Sequence, residues 1–153
     1  MGRAKFIADT MLGRLAKWLR ILGYDTIYFS GTDDGLLLQM AREGGRILLT
    51  RDTRLLQHKG LGRYLFIQSD HLKEQLRQVV AELKLDPEEG LGSRCPRCNA
   101  ELGEIEKGEV EGRVPEFVFK QQEDFFHCHG CGRIYWPGSH LQKMMERVRE
   151  ICG

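Results

Sequence analysis

At 153 residues, 41% of them apolar, the chain is long enough for one buried core plus a small module. Its 23 Lys and Arg against 22 Asp and Glu exclude a polyelectrolyte; 14 basic and 12 acidic residues precede Gly90 and 9 and 10 follow it, so any nucleic-acid contact needs a local patch. There is no charged-then-apolar leader and no apolar run near about 18 residues, which argues against a secreted or membrane-spanning protein.

The apolar run Phe6-Ile7-Ala8 reads as a buried strand ending in Asp9. Leu12, Leu15, Ala16, Leu19 and Leu22 then fall at helical spacing, with Gly23 as the stop, so that strand and helix open a βαβ unit. Thr26 to Phe29 predicts a second strand, Ser30 to Asp34 a turn, and Asp34 to Glu43 a helix that Gly44-Gly45 ends. Arg46 to Thr50 is the clearest strand, continuous in apolar residues as expected where both sheet faces are covered. It runs into Arg51-Asp52 and a short helical segment over Thr53 to Lys59. Tyr64 to Ile67 predicts a fourth strand ending at Ser69-Asp70, and His71 to Leu85 a helix with Leu72, Leu76, Val79, Val80 and Leu83 inward. Strands alternating with helices at this pace define an α/β fold, a three-layer domain with a mainly parallel sheet.

Asp86 to Gly92 reads as a linker, dividing the chain into residues 1–90 and 91–153. From Cys95 the texture changes to short, turn-rich segments, with Phe117-Val118-Phe119, Phe125-Phe126 and Ile134-Tyr135-Trp136 as expected strands. An amphipathic helix over Ser139 to Ile151, with Ser139 as its N-cap, completes the chain.

Three strand-like runs end in an aspartate, Asp9, Asp52 and Asp70, and Asp33-Asp34 opens a helix on the same side. In a parallel sheet these acids meet at the carboxyl edge, where ligands of such folds gather. Two carboxylates ~5 Å apart repel by roughly 3 kcal/mol at an effective dielectric near 20, so a cluster must protonate, find cations or bind a metal ion. Oxygen ligands without histidine or cysteine favour Mg²⁺ or Mn²⁺, a set suited to phosphodiester hydrolysis. Each acid also has a simpler use as a helix cap, and for Asp33 and Asp70 capping is the expected role.

Arg14 and Lys17 follow Asp9 along the first helix, and Arg51 and Arg54 bracket Asp52; together with Trp18 they are candidates for gripping phosphates and stacking on an unpaired base. An ordinary solvated helix face and a half-buried core aromatic are the competing uses. Cys95, Cys98, Cys128 and Cys131 form two C-x-x-C knuckles 29 residues apart, the signature of a closed structural zinc site in a reducing, cytoplasmic setting. His127 and His129 adjoin this set without being needed to fill it, and Cys152 is a spare thiol.

The segments F-I-A-D-T-M-L-G-R-L-A-K-W-L-R-I-L-G-Y-D (6–25), D-D-x6-A (33–41) and R-I-L-L-T-R-D (46–52), with the cysteine pairs, resemble the PIN-like ribonucleases that carry a C-terminal zinc ribbon, the Mut-seven C-terminal RNase domain family. The resemblance implies a PIN-like domain over 1–90, a zinc ribbon with a C-terminal helix over 91–153, and a Mg²⁺- or Mn²⁺-dependent RNase site. It carries catalytic roles onto Asp9, Asp34 and Asp52. The further acid of classical PIN nucleases has no clear counterpart here, Asp33 and Asp70 being the available substitutes. A non-catalytic RNA-binding or adaptor module is the alternative expectation. A phosphotransfer domain of the haloacid-dehalogenase kind is disfavoured, because the second acid it needs two residues after Asp9 is Met11.

Overall fold

The computed structural model describes residues 3–153, so the first two residues of the 1–90 segment lie outside it. Four strands, β1 (Phe6–Ala8), β2 (Thr26–Tyr28), β3 (Ile47–Thr50) and β4 (Tyr64–Phe66), form a parallel sheet in the order β2-β1-β3-β4. The strands are short but their residues alternate between two apolar layers, as the pleat requires. Phe6, Ala8, Ile47 and Leu49 face one layer; Ile7 and Leu48 face the other.

On the second face lies α2 (Asp34–Glu43), which buries Leu37, Leu38 and Ala41. The first face carries α1 (Gly13–Ile21) and α3 (Leu72–Glu82). A 3-10 turn over Thr10–Leu12 joins β1 to α1, so the predicted helix begins one turn later than the apolar periodicity suggests. Leu15, Ala16 and Leu19 from α1 and Leu76 and Val79 from α3 complete this larger core.

Residues 93–136 build a second, antiparallel sheet, β5-β6-β7, from Leu102–Ile105, Phe125–Cys128 and Ile134–Tyr135. Two short helices lie between β5 and β6, α4 (Lys107–Val110) and α5 (Glu116–Gln121). The strand expected over Phe117 to Phe119 is therefore helical. Pro115 is compatible with a helix start, Glu116 and Lys120 pair one turn apart at 3.0 Å, and only Val118 of the three is buried while Phe117 is exposed. The last helix, α6 (His140–Cys152), returns to the first unit and lays Leu141, Met144, Val148 and Ile151 into the core of α1 and α3. Ser139 occupies the N-cap position of α6 but makes no side-chain cap bond.

The ribbon is anchored to the amino edge of the parallel sheet. Asn99, in a left-handed conformation (φ 73°), donates from Nδ2 to Asp25 Oδ1 at 2.7 Å and accepts the Thr26 N–H at 2.9 Å. Arg46 donates to the same Asp25 oxygen at 2.8 Å, and Arg20 donates to the carbonyls of Thr26, Pro96 and Arg97. Gly23 (φ +93°) lets the linker cross behind α1: a Cβ there would stand 2.2 Å from the Gly90 carbonyl oxygen.

Candidate active site and metal centre

At the opposite, carboxyl edge of the sheet, Asp9, Asp34 and Asp52 line one cavity of about 180 Å³, together with Thr10, Met11, Phe29 and Arg54. Each acid arrives from a different element: Asp9 directly follows β1, Asp34 is the first residue of α2, and Asp52 lies two residues beyond β3. Parallel strands put all three at one edge, which is the geometric reason the sequence pattern works.

Asp9 is nearly fully buried, and both its oxygens are engaged. Oδ1 accepts the Met11 N–H at 3.0 Å, capping the 3-10 turn, and Oδ2 accepts the hydroxyl of Thr50. The same Thr50 Oγ1 accepts the backbone N–H of Asp52 at 2.9 Å. A single buried hydroxyl thus orients one acid and fixes the loop that presents another. Asp52 is half-buried and held by Arg54, whose Nε and Nη2 reach its two oxygens at 3.2 Å and whose backbone N–H donates at 2.9 Å. These bonds from the Arg54 side chain and backbone hold the Asp52 carboxyl below its ordinary value. Capping and cavity-lining are therefore not exclusive for Asp9, and Asp52 has taken a cation as its neutralising partner.

The other sequence candidates fall elsewhere. Asp33 caps α2 by accepting the Leu36 N–H at 3.0 Å and does not line the cavity. Asp70 is exposed, sits 3.4 Å from His71, and also stays outside. Arg51 donates to the Ile67 carbonyl at 3.0 Å, bracing the end of β4, so that Arg54 is the arginine at the cavity. Arg14, Lys17 and half-buried Trp18 line a separate groove against α6. Sequence patterning gives Thr50 no role in the site; its one signal is position, a hydroxyl at the end of an otherwise apolar strand two residues before an acid.

Among the described residues, Cys95, Cys98, Cys128 and Cys131 are the one group of three or more His, Cys, Asp or Glu whose ligand atoms all lie within 4.8 Å of one another. The sulfurs of Cys95 and Cys131 are 3.8 Å apart and those of Cys98 and Cys128 3.0 Å. Tetrahedral zinc with Zn–S near 2.3 Å needs sulfurs about 3.8 Å apart; the four-thiol donor set fits zinc and the Cys95–Cys131 separation matches it, while Cys98 and Cys128 lie closer together than a bound ion would hold them. Burial pushes the Cys95 thiol up, but hydrogen bonds from the Tyr135 hydroxyl and the Cys98 and Arg97 backbone outweigh it and hold it at about 7. Burial pushes the thiols of Cys128 and Cys131 upward. Four thiolates this close do not coexist without a cation, which is what a zinc ion supplies.

The three carboxylates meet a looser standard. They share a cavity without forming a group within that 4.8 Å limit. Mg²⁺ commonly keeps several waters and touches only one or two carboxylates, so the oxygen-only donor set fits such a partly hydrated ion.

A family model described as the Mut7-C RNAse domain matches residues 4–148, nearly the whole chain, and the protein belongs to that family. Membership gives it a ribonuclease-like character and RNA as its substrate class. Comparison with curated proteins and with solved structures gives no match. No helix among the described residues is long and apolar enough to cross a membrane.

Proposed function

We propose that the protein is a Mg²⁺- or Mn²⁺-dependent ribonuclease that cleaves RNA phosphodiesters at the carboxyl edge of its parallel sheet. The observation that carries this is the meeting of Asp9, Asp34 and Asp52, from three separate elements, around one cavity in a chain of an RNase family. In this reading Asp9, Asp34 and Asp52 are the catalytic acids, and they hold the ion. Bound there, a divalent ion would supply activation of water and neutralisation of charge at the phosphate. Thr50 holds the Asp9 carboxylate in one orientation and sets the Asp52 loop. Arg54 neutralises Asp52 and lines the same cavity, where its guanidinium can exchange that carboxylate for an arriving phosphate as its partner. Asp33 is used as the cap of α2, whereas Asp70, contrary to the capping role expected of it, caps no helix and stays exposed while Ser69 accepts the His71 N–H; neither is needed as a further acid.

Cys95, Cys98, Cys128 and Cys131 hold a structural zinc ion, whose four thiolates leave no open position for chemistry. The ribbon segment, 91–153, then serves the PIN-like segment, 1–90, as a clamp: Asn99 and Arg20 fasten it below the sheet and α6 fills its core. The cysteine set suits a reducing, cytoplasmic setting, and single-stranded RNA suits a site in which bases are reached unpaired.

One observation favours the alternative, an RNA-binding or adaptor protein without catalysis: Asp52 is already paired with Arg54. Metal-dependent cleavage of single-stranded RNA that disappears in Asp9→Asn/Asp52→Asn supports the nuclease. RNA binding by a zinc-loaded protein without any cleavage supports the adaptor.

A further inference from the structure

α1 and α6 pack side by side, and between them runs a groove of about 360 Å³ lined by Arg14, Lys17, Trp18, His140, Lys143 and Arg147 with Met144 beneath. Four permanent cations line it and no carboxylate does. The spacing is what concentrates the charge: Arg14 and Lys17 are three residues apart on α1, Lys143 and Arg147 four apart on α6, so each pair shares one helix face. Arg14, Lys143 and Arg147 are exposed or nearly so, and Lys17 is half-exposed. Among the described residues Arg14, Lys17 and Lys143 have no ion-pair partner, and Arg147 meets Glu150 at 3.2 Å. That pair is exposed at both ends, the kind of surface interaction that competes weakly with a phosphate.

The groove also has a direction. Met11 lines the acidic cavity and Arg14 lies three residues further along the chain, on the first turn of α1. Trp18 stands one turn beyond Arg14, and its ring, half-buried on the core, adds a flat apolar surface among the cations. Cations interleaved with an aromatic fit a single-stranded nucleic acid, in which every phosphate is accompanied by a base that can stack, better than an acidic peptide, whose charges carry no ring of their own.

We propose that this groove is a binding track for single-stranded RNA, with phosphates held jointly by Arg14 and Lys17 from α1 and Lys143 and Arg147 from α6. It rests on the ribonuclease reading and adds to it a specific part for the C-terminal helix. The zinc-ribbon segment thus contributes half of the substrate track through α6, while the stretch that carries its first cysteine pair, Cys95 to Asn99, is fastened at the other edge of the sheet. The groove and the acidic cavity are separate, and the short stretch from Met11 to Arg14 is what links them along the chain.

The test is binding of a fluorescein-labelled single-stranded RNA by full-length, zinc-loaded protein without added Mg²⁺ or Mn²⁺, across a salt series. Removing one phosphate-binding cation should flatten the plot of log affinity against log salt by about 0.7. Lys143→Ala/Arg147→Ala should therefore reduce the slope by about 1.4, and adding Arg14→Ala/Lys17→Ala by about 2.8 in all, with affinity at least tenfold lower in the quadruple variant. Lys143→Arg/Arg147→Lys, which keeps the charge, should bind as the wild type does. An unchanged slope and affinity in the quadruple variant, with zinc content and helical circular dichroism intact, overturns the track, as does a wild type that binds no RNA. Weakened binding in the α1 pair with none in the α6 pair overturns the joint site. If the wild type binds RNA with the expected slope yet never cuts it with Mn²⁺, the nuclease reading fails and the track stands. An acidic peptide displacing the RNA at equal charge and concentration would reassign the groove to a protein partner and overturn the proposal.

Discussion

The hydroxyl of Thr50 donates to the carboxylate of Asp9 and in the same position accepts the backbone N–H of Asp52, so one side chain at the end of β3 couples two of the three acids at the cavity. Thr50 and Asp9 are both buried, so the bond between them is largely shielded from bulk water. Thr50→Val keeps the shape and removes both interactions. We expect a loss of about 1–3 kcal/mol in stability, the usual cost of leaving buried polar groups unpaired, measured by denaturant unfolding. Thr50→Ser should restore most of it. Metal-dependent cleavage should fall in Thr50→Val and recover in Thr50→Ser; equal activity in all three would remove Thr50 from the site.

Arg54 ties up the carboxylate that a metal ion would use. Arg54→Ala should let the Asp52 carboxyl rise toward its ordinary value and should tighten Mn²⁺ binding by a few-fold, since the pair lies at the surface. RNA affinity should fall in the same variant. Titration of Mn²⁺ by its paramagnetic signal decides the first point, and weaker Mn²⁺ binding in Arg54→Ala would contradict it.

The Asp25 anchor predicts a pH dependence. Burial alone would raise its carboxyl, but the hydrogen bonds from Arg46 and Asn99 prevail and hold it below the ordinary value. A carboxyl depressed in the folded state adds stability above its unfolded value, near 4, and loses it as pH falls through the folded value. The stability difference between wild type and Asp25→Asn should therefore be greatest near neutral pH and narrow below about pH 4. Paired unfolding curves at several pH values measure it; a difference that widens on acidification would contradict the assignment.

Zinc removal should act on the ribbon before the parallel sheet. β5, β6 and β7 surround the four cysteines and own only a small core around Val110, Val118 and Phe125, whereas β1 and β3 lie in the main core. Cys98→Ser, or chelation, should abolish amide protection across β5–β7 while β1 and β3 keep theirs. Zinc analysis should give one ion per chain in the wild type. Full protection of β5–β7 in metal-free protein would show that the ribbon folds without zinc.

Most of the first unit is legible in the sequence because its signals are local. The unbroken apolar runs at Phe6–Ala8 and Ile47–Leu49 announce strands covered on both faces, and Asp34–Glu43 has the helix bounds that its flanking Asp33 and Gly44 predict. The ribbon is less legible. Phe117-Val118-Phe119 alternates like a strand but is helical, since Pro115 and the Glu116–Lys120 pair favour a turn of helix. β5, over Leu102–Ile105, escapes the apolar pattern: Gly103 weakens its strand signal, and its register against β6 pairs Leu102 with Cys128. The site divides in the same way. Asp9 and Asp52 can be named from sequence because strand ends are sequence features, whereas Asp34 is told apart from its neighbour Asp33 only by the family resemblance. Thr50's hydrogen bonds and the pairing of Arg14 and Lys17 with Lys143 and Arg147 join residues far apart in the chain, and no periodicity reports that.

Cleavage is the most direct test of Asp9, Asp34 and Asp52 as a metal-dependent RNase site. Zinc-loaded protein should cut a labelled single-stranded RNA with Mn²⁺ or Mg²⁺ and not without them, and Asp9→Asn/Asp52→Asn should be inactive while still binding the RNA through the α1–α6 groove. Cleavage that persists undiminished in the double variant, or a wild type that binds RNA with either ion and leaves it intact, would contradict the account.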